Sequence, residues 1–363
     1  MPTDRMQAIQ QARQALLQEG SLQPAPQLAP WLQRGWQRCQ AWGLAPDQRV
    51  GFDAVSSARM RQVQEESWPL VQAARPVLAE LVRAMGNIGY FAILTNAEGI
   101  VIDVHGPVDR SDRRADVIAR VGVDLSERAV GTTAISAALT ELQPVWLHRG
   151  EHFFVDTSVY SCAGAPVFGP DGLCAGMLDL TGVEVTERPA LKHLVRRSAR
   201  SIENSWLLTA PHALTLRLNW PGNQPGDDSD GLLTLDADGQ ITGANPTARQ
   251  MLALDVGPSS AHASDVFAMP WEHLFDAAQR EQGLYEVPLW SGLRLQTQAH
   301  RAGQPTSGAS APRSSGKALR DVETELIRQA VVQARGNVAE AARALGISRA
   351  TVYRKLGGGK TGR

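Results

Sequence analysis

Arg349, Thr351, Arg354 and Lys355 fall within seven residues near the C-terminal end of a 363-residue chain. Arginine forks match guanine edges, and lysine and threonine suit phosphate oxygens, so these types on one helical face would read a DNA duplex. Their neighbours decide whether such a face is presented. Between Asn337 and Leu356 the sequence sets a small residue at Ala342, glycine at Gly346 and an apolar residue at Val352. Two short helices crossing at a tight turn need all three. Ala342 permits close approach, Gly346 permits a left-handed exit, and Val352 returns to the shared core. Val338, Ala341, Leu345, Ile347 and Leu356 fill that core. Asn337 opens the first helix, and Ser348 suits an N-cap, which predicts a second helix starting at Arg349. Arg349, Ala350, Thr351, Arg354 and Lys355 then face outward. With Asn337, Ser348 and Tyr353 they form the candidate DNA-contact set. A merely solvated basic helix would not require the small, glycine and apolar positions to agree.

Upstream, Leu319, Val322, Leu326, Ala330, Val331 and Ala334 repeat at helical spacing. The run from Lys317 to Leu356 resembles the Fis-type DNA-binding domain, which sets a domain at 317–357. That resemblance implies a homodimer whose long first helices pack together, holding two recognition helices against double-stranded DNA. Charge agrees. Residues 313–363 carry 11 Lys/Arg and 4 Asp/Glu, about +7, against a net −1 for the whole chain. A basic end on an acidic body is the footprint of a nucleic-acid-binding tail.

Chain length allows two to three domains. The three cysteines, Cys39, Cys162 and Cys174, form no CxxC pair. That excludes a disulfide framework and a common zinc site, and it suits a reducing cytoplasm. No apolar run approaches a membrane span, and the first twenty residues lack a signal-peptide core. A cytoplasmic protein with no membrane association is expected.

Residues 1–85 read as a helical segment. Met6, Ile9, Ala12, Leu16 and Leu17 line one face up to Gly20, and prolines 24, 26 and 30 break the chain. Trp31, Leu32, Trp36, Cys39 and Trp42 then form an aromatic stripe whose plainest role is core packing. From Gly89 the period changes to that of strands. YFAILTN and IVIDVHG form a hairpin, followed by PVWLH, CAGAPVFG and LCAGMLDLTG, with a helix from Thr132 to Glu141 and another from Pro189 to Leu208. This makes residues 86–209 an α+β sensor-like unit.

The runs beginning at Trp36, Ala74, Ala129, Gly150, Cys162 and Leu178 resemble the GAF-containing sensor region of the acetoin-catabolism and dihydroxyacetone regulator family, over about residues 30–208. Gly35 stands where that family usually has serine, and Thr133 where asparagine is common. Such folds hold a cavity over one sheet face, and the candidate lining is Trp146, Glu151, His152, Phe154, Tyr160 and Cys162. Glu151 or His152 would supply a polar handle for a small carbonyl or hydroxyl effector. Structural roles compete at each position, and Cys162 is most simply a small buried apolar group. His148, His152 and Cys162 follow no common ligand spacing, so no metal is expected. A redox pair of Cys162 with Cys174 would need a turn to bring them together. No cofactor and no catalytic residue is assigned.

After a break at residues 221–230, GLLTLDADGQITGANPTARQMLAL reads strand, turn, strand, helix. That order is similar to the start of a PAS domain, here a degenerate one at 228–300 with Asn245 opening its helix. Residues 301–316 read as a flexible linker. In the regulator family an AAA+ ATPase acting on sigma-54 polymerase lies between sensor and Fis-type domain. Here neither GxxxxGK[ST] nor GAFTGA occurs. The tail at Gly357–Thr361 puts Arg354 where a phosphate loop needs its first glycine. The fold class expected is multidomain α+β with an all-α helix-turn-helix at the C-terminal end. The function expected is a sequence-specific transcriptional regulator, not an enzyme, that senses a small metabolite without ATPase activity. It would act by occupancy or through RNA polymerase contacts. The alternatives are a module docking a metabolic protein partner, and a thiol redox enzyme.

Overall fold

Alternation of apolar residues along YFAILTN and its successors builds the first sheet. The computed structural model describes residues 2–18, 28–257, 261–279, 283–302, 327, 328, 330, 331, 334 and 337–357. Strands β1 (Tyr90–Asn96), β2 (Val101–His105), β3 (Val145–His148), β4 (Tyr160–Phe168) and β5 (Cys174–Val183) form an antiparallel sheet in the order β2-β1-β5-β4-β3. Asn96 closes the first hairpin by accepting from the N–H groups of Glu98 and Ile100, an Asx turn that leaves Gly99 at φ +88°.

The helices before the sheet are not a separate layer of the chain. They cover both of its faces. Helix α3 (Ser57–Met85) and helix α7 (Leu191–Thr209) lie on one side, where Leu78, Leu81, Val195 and Ile202 pack against Leu94, Ala163, Leu178 and Leu180. Helix α3 runs through Pro69 and Pro76. Each proline costs about 3 kcal/mol in a helix interior, and eight buried residues along the helix offset that cost. The other side carries α1 (Pro2–Arg13), α2 (Pro30–Ala41), α4 (Arg113–Ile118), α5 (Glu127–Val130) and α6 (Ala134–Glu141). There Ile9, Leu16, Trp36, Cys39, Ile118 and Ile135 meet Ile93, Leu147, Cys162 and Met177. The aromatic stripe is core as expected. Trp36 is fully buried, and its indole N–H donates to the Glu151 carbonyl at 3.0 Å. Thr133 caps α6 in a capping box with Ser136. A Cβ on Gly164 would sit 3.0 Å from the Ala134 carbonyl, so only glycine lets α6 lie this close to β4.

A second antiparallel sheet follows: β6 (Leu214–Asn219), β7 (Gly231–Leu235), β8 (Ile241–Ala244), β9 (Tyr285–Pro288) and β10 (Arg294–Arg301), in the order β8-β7-β6-β10-β9. The strand, turn, strand, helix order is present as β7, β8 and α8 (Pro246–Leu252). The central strand, however, is β6, which lies before the 221–230 break and outside the expected 228–300. It pairs with β7 on one side and β10 on the other. Its Leu-Thr-Leu-Arg-Leu alternation is a strand pattern passed over because a break follows it. Asn245 ties the two units together. Its carbonyl accepts from the N–H groups of Ala248 and Leu232, and its amide donates to Asn204 of α7 and to the Asp230 carbonyl. All four positions of a buried amide are thereby satisfied.

Helices α11 (Val338–Ala344) and α12 (Arg349–Gly357), our numbering continuing past α9 (Ala263–Val266) and α10 (Glu272–Gln279), form the C-terminal pair. Most of the expected linker at 301–316, most of the helix before Ala334, and the Gly357–Thr361 tail beyond its first residue lie outside the described residues. No described helix is long and apolar enough to cross a membrane.

Candidate functional site

The helix-turn-helix is built by its caps. Asn337 accepts through Oδ1 from the N–H groups of Ala339 and Glu340. Gly346, at φ +66°, turns the chain, and the Ile347 N–H returns to the Ala342 carbonyl. Ser348 Oγ then accepts from the Thr351 N–H at 3.1 Å, and α12 begins at Arg349. Ala342, Leu345 and Val352 are buried against Ile327, with Val338 and Ile347 packed beside them. Arg349 and Ala350 are exposed, and Tyr353 is 64% exposed. Thr351 is half-buried, and its hydroxyl lies 2.9 Å from that of Ser348. Arg354 and Lys355 lie within α12, their side chains outside the described set.

On the first sheet, a small cavity opens between the strands and the helices of the α6 side. Its wall includes Phe52, Ile118, Leu125, Val130, Thr133 and Ile135, together with His152, Thr157, Tyr160, Cys162 and Thr181. The free space at its centre is about 10 Å3, enough for roughly one water. Phe52, in the loop between α2 and α3, closes it with an edge-on contact to Tyr160 at 6.2 Å between ring centroids. Phe52 sits at φ +52°, a left-handed conformation that a side chain adopts only when its surroundings hold it there.

His152 is fully buried. Its Nδ1 lies 2.9 Å from the Arg149 carbonyl, which can only accept, so Nδ1 carries the proton. Nε2 is left bare and unpartnered. Burial pushes the imidazole down to about 4, so it is neutral at ordinary pH. Beside it, Thr181 donates to Asp179 Oδ2, and Cys162 Sγ lies 3.4 Å from Thr181 Oγ1. Asp179 is fully buried with Oδ1 unpartnered, and burial raises its carboxyl to about 7. The loop carrying His152 is held from outside by Arg13 of α1, whose guanidinium donates to the carbonyls of Gly150, His152 and Phe153.

Three of the six expected lining residues, His152, Tyr160 and Cys162, meet at this cavity. The others do not line it. Trp146 alternates to the opposite sheet face, where it stacks on His148 at 5.7 Å and lies under Arg5. Glu151 is turned toward Arg5 at 2.6 Å and accepts from the His148 N–H. Phe154 is buried in the same core, edge-on to Phe153. Because His148 faces away, the trio His148, His152 and Cys162 is not assembled. Nor are Cys162 and Cys174. Cys162 pairs across from Thr181, whereas Cys174 pairs with Phe168, six residues along β4 and roughly 20 Å away. Burial raises the Cys162 thiol well above its ordinary range, the reverse of a reactive thiolate. Phe52 and Asp179 were missed. Asp179 had a signal, a lone carboxylate in the apolar run Met177–Leu180, while Phe52 had none, since its loop carries no periodicity.

Residues 2–204 match the model described as MimR, N-terminal domain. The chain belongs to the MimR N-terminal domain family. Residues 318–357 match a second model, bacterial regulatory protein, Fis family. Among similar proteins is the acetoin catabolism regulatory protein of Cupriavidus necator, 31% identical over 275 residues, 73% of this chain and 40% of that protein. Another is the propane 2-monooxygenase operon transcriptional activator MimR of Mycolicibacterium goodii, 29% identical over 205 residues, 56% of this chain and 34% of that one. The chain thus spans about two fifths of the length of the first relative and a third of the second. A solved E. coli DhaR(N)–DhaL complex aligns with TM-score 0.46 and 14% identity, covering 75% of this chain and 99% of that one. This member of the MimR N-terminal domain family therefore joins that domain to a Fis-family helix-turn-helix.

Proposed function

We propose that this chain is a sequence-specific DNA-binding transcriptional regulator, dimeric through its Fis-type domain, whose N-terminal unit answers a small effector in the Phe52 cavity. The observation that carries the first part is the capped pair α11 and α12, with Arg349 exposed at the start of α12 and Arg354 and Lys355 further along it. The cavity supports the second part. It is buried, largely apolar, and lined by a histidine with one free nitrogen. We assign the sensor to residues 86–209 with its covering helices, the PAS-like unit to 228–300 together with β6, and DNA contact to 317–357. Without a GxxxxGK[ST] or GAFTGA run, the protein acts by occupancy or by contact with polymerase rather than by hydrolysing ATP. The effector biases the pose of the two DNA-reading helices.

Selection of random duplexes by the purified full chain tests this reading. One sequence should be enriched. Arg354→Ala should relax the preference and cost about 1–3 kcal/mol on that sequence. Lys355→Ala should weaken binding to all sequences and lower the salt slope by about one. No enrichment, or measurable ATP turnover, would overturn it.

A further inference from the structure

The polar groups around the Phe52 cavity are not balanced between donors and acceptors. Three hydroxyls of its wall already commit their protons elsewhere. Thr157 donates to the Phe154 carbonyl at 3.0 Å, Tyr160 to the Arg114 carbonyl at 2.9 Å, and Thr181 to Asp179. Thr133 Oγ1 is occupied as the cap of α6. The one fully buried side-chain atom of the wall left with no partner is Nε2 of His152, and it is an acceptor, because the ring proton sits on Nδ1 facing the Arg149 carbonyl. A buried acceptor without a donor is costly, so whatever fills this space gains most by donating to it. A ketone or ether oxygen cannot do that. An ammonium can, but the rest of the wall offers it carbon: Phe52, Ile118, Leu125, Val130 and Ile135. Asp179 is the nearby carboxylate, and it stands behind Thr181 rather than on the wall. Burying a cation against such a surface is expensive.

We propose that the cavity takes a small uncharged molecule through a hydroxyl group that donates to Nε2 of His152, with its carbon frame against the Phe52 side. This rests on the reading of the cavity as the effector site. The central space fits about one water, so a larger molecule enters by displacing Phe52, which is half-buried and held in the left-handed region.

Three probes of one carbon frame separate the possibilities: butan-2-ol, butan-2-one and protonated butan-2-amine, titrated into the full chain and followed by NMR. The alcohol should bind about ten-fold more tightly than the ketone, and its binding should move the His152 Nε2 nitrogen resonance upfield while the ketone leaves it in place. His152→Phe should erase the preference for the alcohol. Should that variant fail to fold, the nitrogen resonance of the unaltered chain decides alone. Ketone or amine binding as tightly as the alcohol, or alcohol binding with the Nε2 resonance unmoved, overturns the hydroxyl assignment and leaves the effector site standing. Binding by none of the three removes the effector site itself, and the hydroxyl assignment with it.

Discussion

The two sheets have the same strand number and the same antiparallel pairing, yet their buried faces are made differently. The second is filled by leucine: Leu214, Leu216, Leu218, Leu233, Leu235 and Leu295 are all buried and belong to one cluster. On the cavity face of the first, Cys162, Asp179 and Thr181 interrupt the apolar residues, and His152 hangs over them. Stability alone favours the leucine solution, since apolar side chains bury without needing partners. The first sheet carries polar groups inside, two of them with unpartnered atoms. That difference marks the face shaped for something other than holding the fold together.

The largest test of the contrast is truncation. Leu216 is fully buried at the centre of the second sheet, opposite Leu233 and Ala299. Leu216→Ala should cost about 2–5 kcal/mol in urea unfolding, the transfer loss plus the hole left behind. Cys162→Ala on the cavity face should cost about 1 kcal/mol or less, because its neighbours already border free space. Equal losses would mean that the cavity face is packed as tightly as the leucine face, and the contrast would fail.

Asp179 gives a pH-dependent version. Its folded carboxyl is raised to about 7 by burial, from an ordinary 3.8. Below 3.8 both folded and unfolded chains hold the proton. Between about 4 and 7 only the folded chain does, so its contribution to stability falls as pH rises through that window and levels off above it. Asp179→Asn cannot ionise. Relative to the unaltered chain it should match near pH 4 and gain steadily to at most about 4 kcal/mol above pH 7, the equivalent of three pKa units. His152 works in the opposite direction, since its folded value is lowered to about 4 and acid therefore destabilises. Its effect is common to both proteins and cancels in the difference. A difference independent of pH would show that Asp179 is not held protonated.

Much of this was legible beforehand, and the reasons differ by element. The helix-turn-helix was readable to the residue, because its constraints are local: Asn337 and Ser348 each bond the turn that follows them, and Gly346 needs only its own φ. Most strands of the first sheet were readable by alternation. The cavity was half readable. His152, Tyr160 and Cys162 come from the runs quoted for the resemblance, but Trp146 fails because a period of two sends neighbours to opposite faces, and Cys162 already fixed the cavity side. Phe52 reaches the site from a loop more than a hundred residues before Tyr160 in the sequence, and nothing local announces such a contact. Strand β6 shows the same limit. Its pattern is plain, but its place between β7 and β10 depends on a strand eighty residues later.

The smallest test concerns the one described orphan within the second sheet. Tyr285 of β9 has a buried hydroxyl with no partner, and burial alone raises its ionisation. If this sheet serves packing only, the hydroxyl does no work there, and its desolvation is simply a cost of the ring it belongs to. Tyr285→Phe should then be neutral or stabilising by up to about 1 kcal/mol, since the ring stays and only the unpaired group is removed. The matching change on the first sheet, His152→Phe, should differ in kind, because there the free nitrogen faces a space that a ligand can enter. Should Tyr285→Phe instead lower stability by more than about 1 kcal/mol, the hydroxyl must have a partner in solution, and the second sheet would hold a polar site of its own.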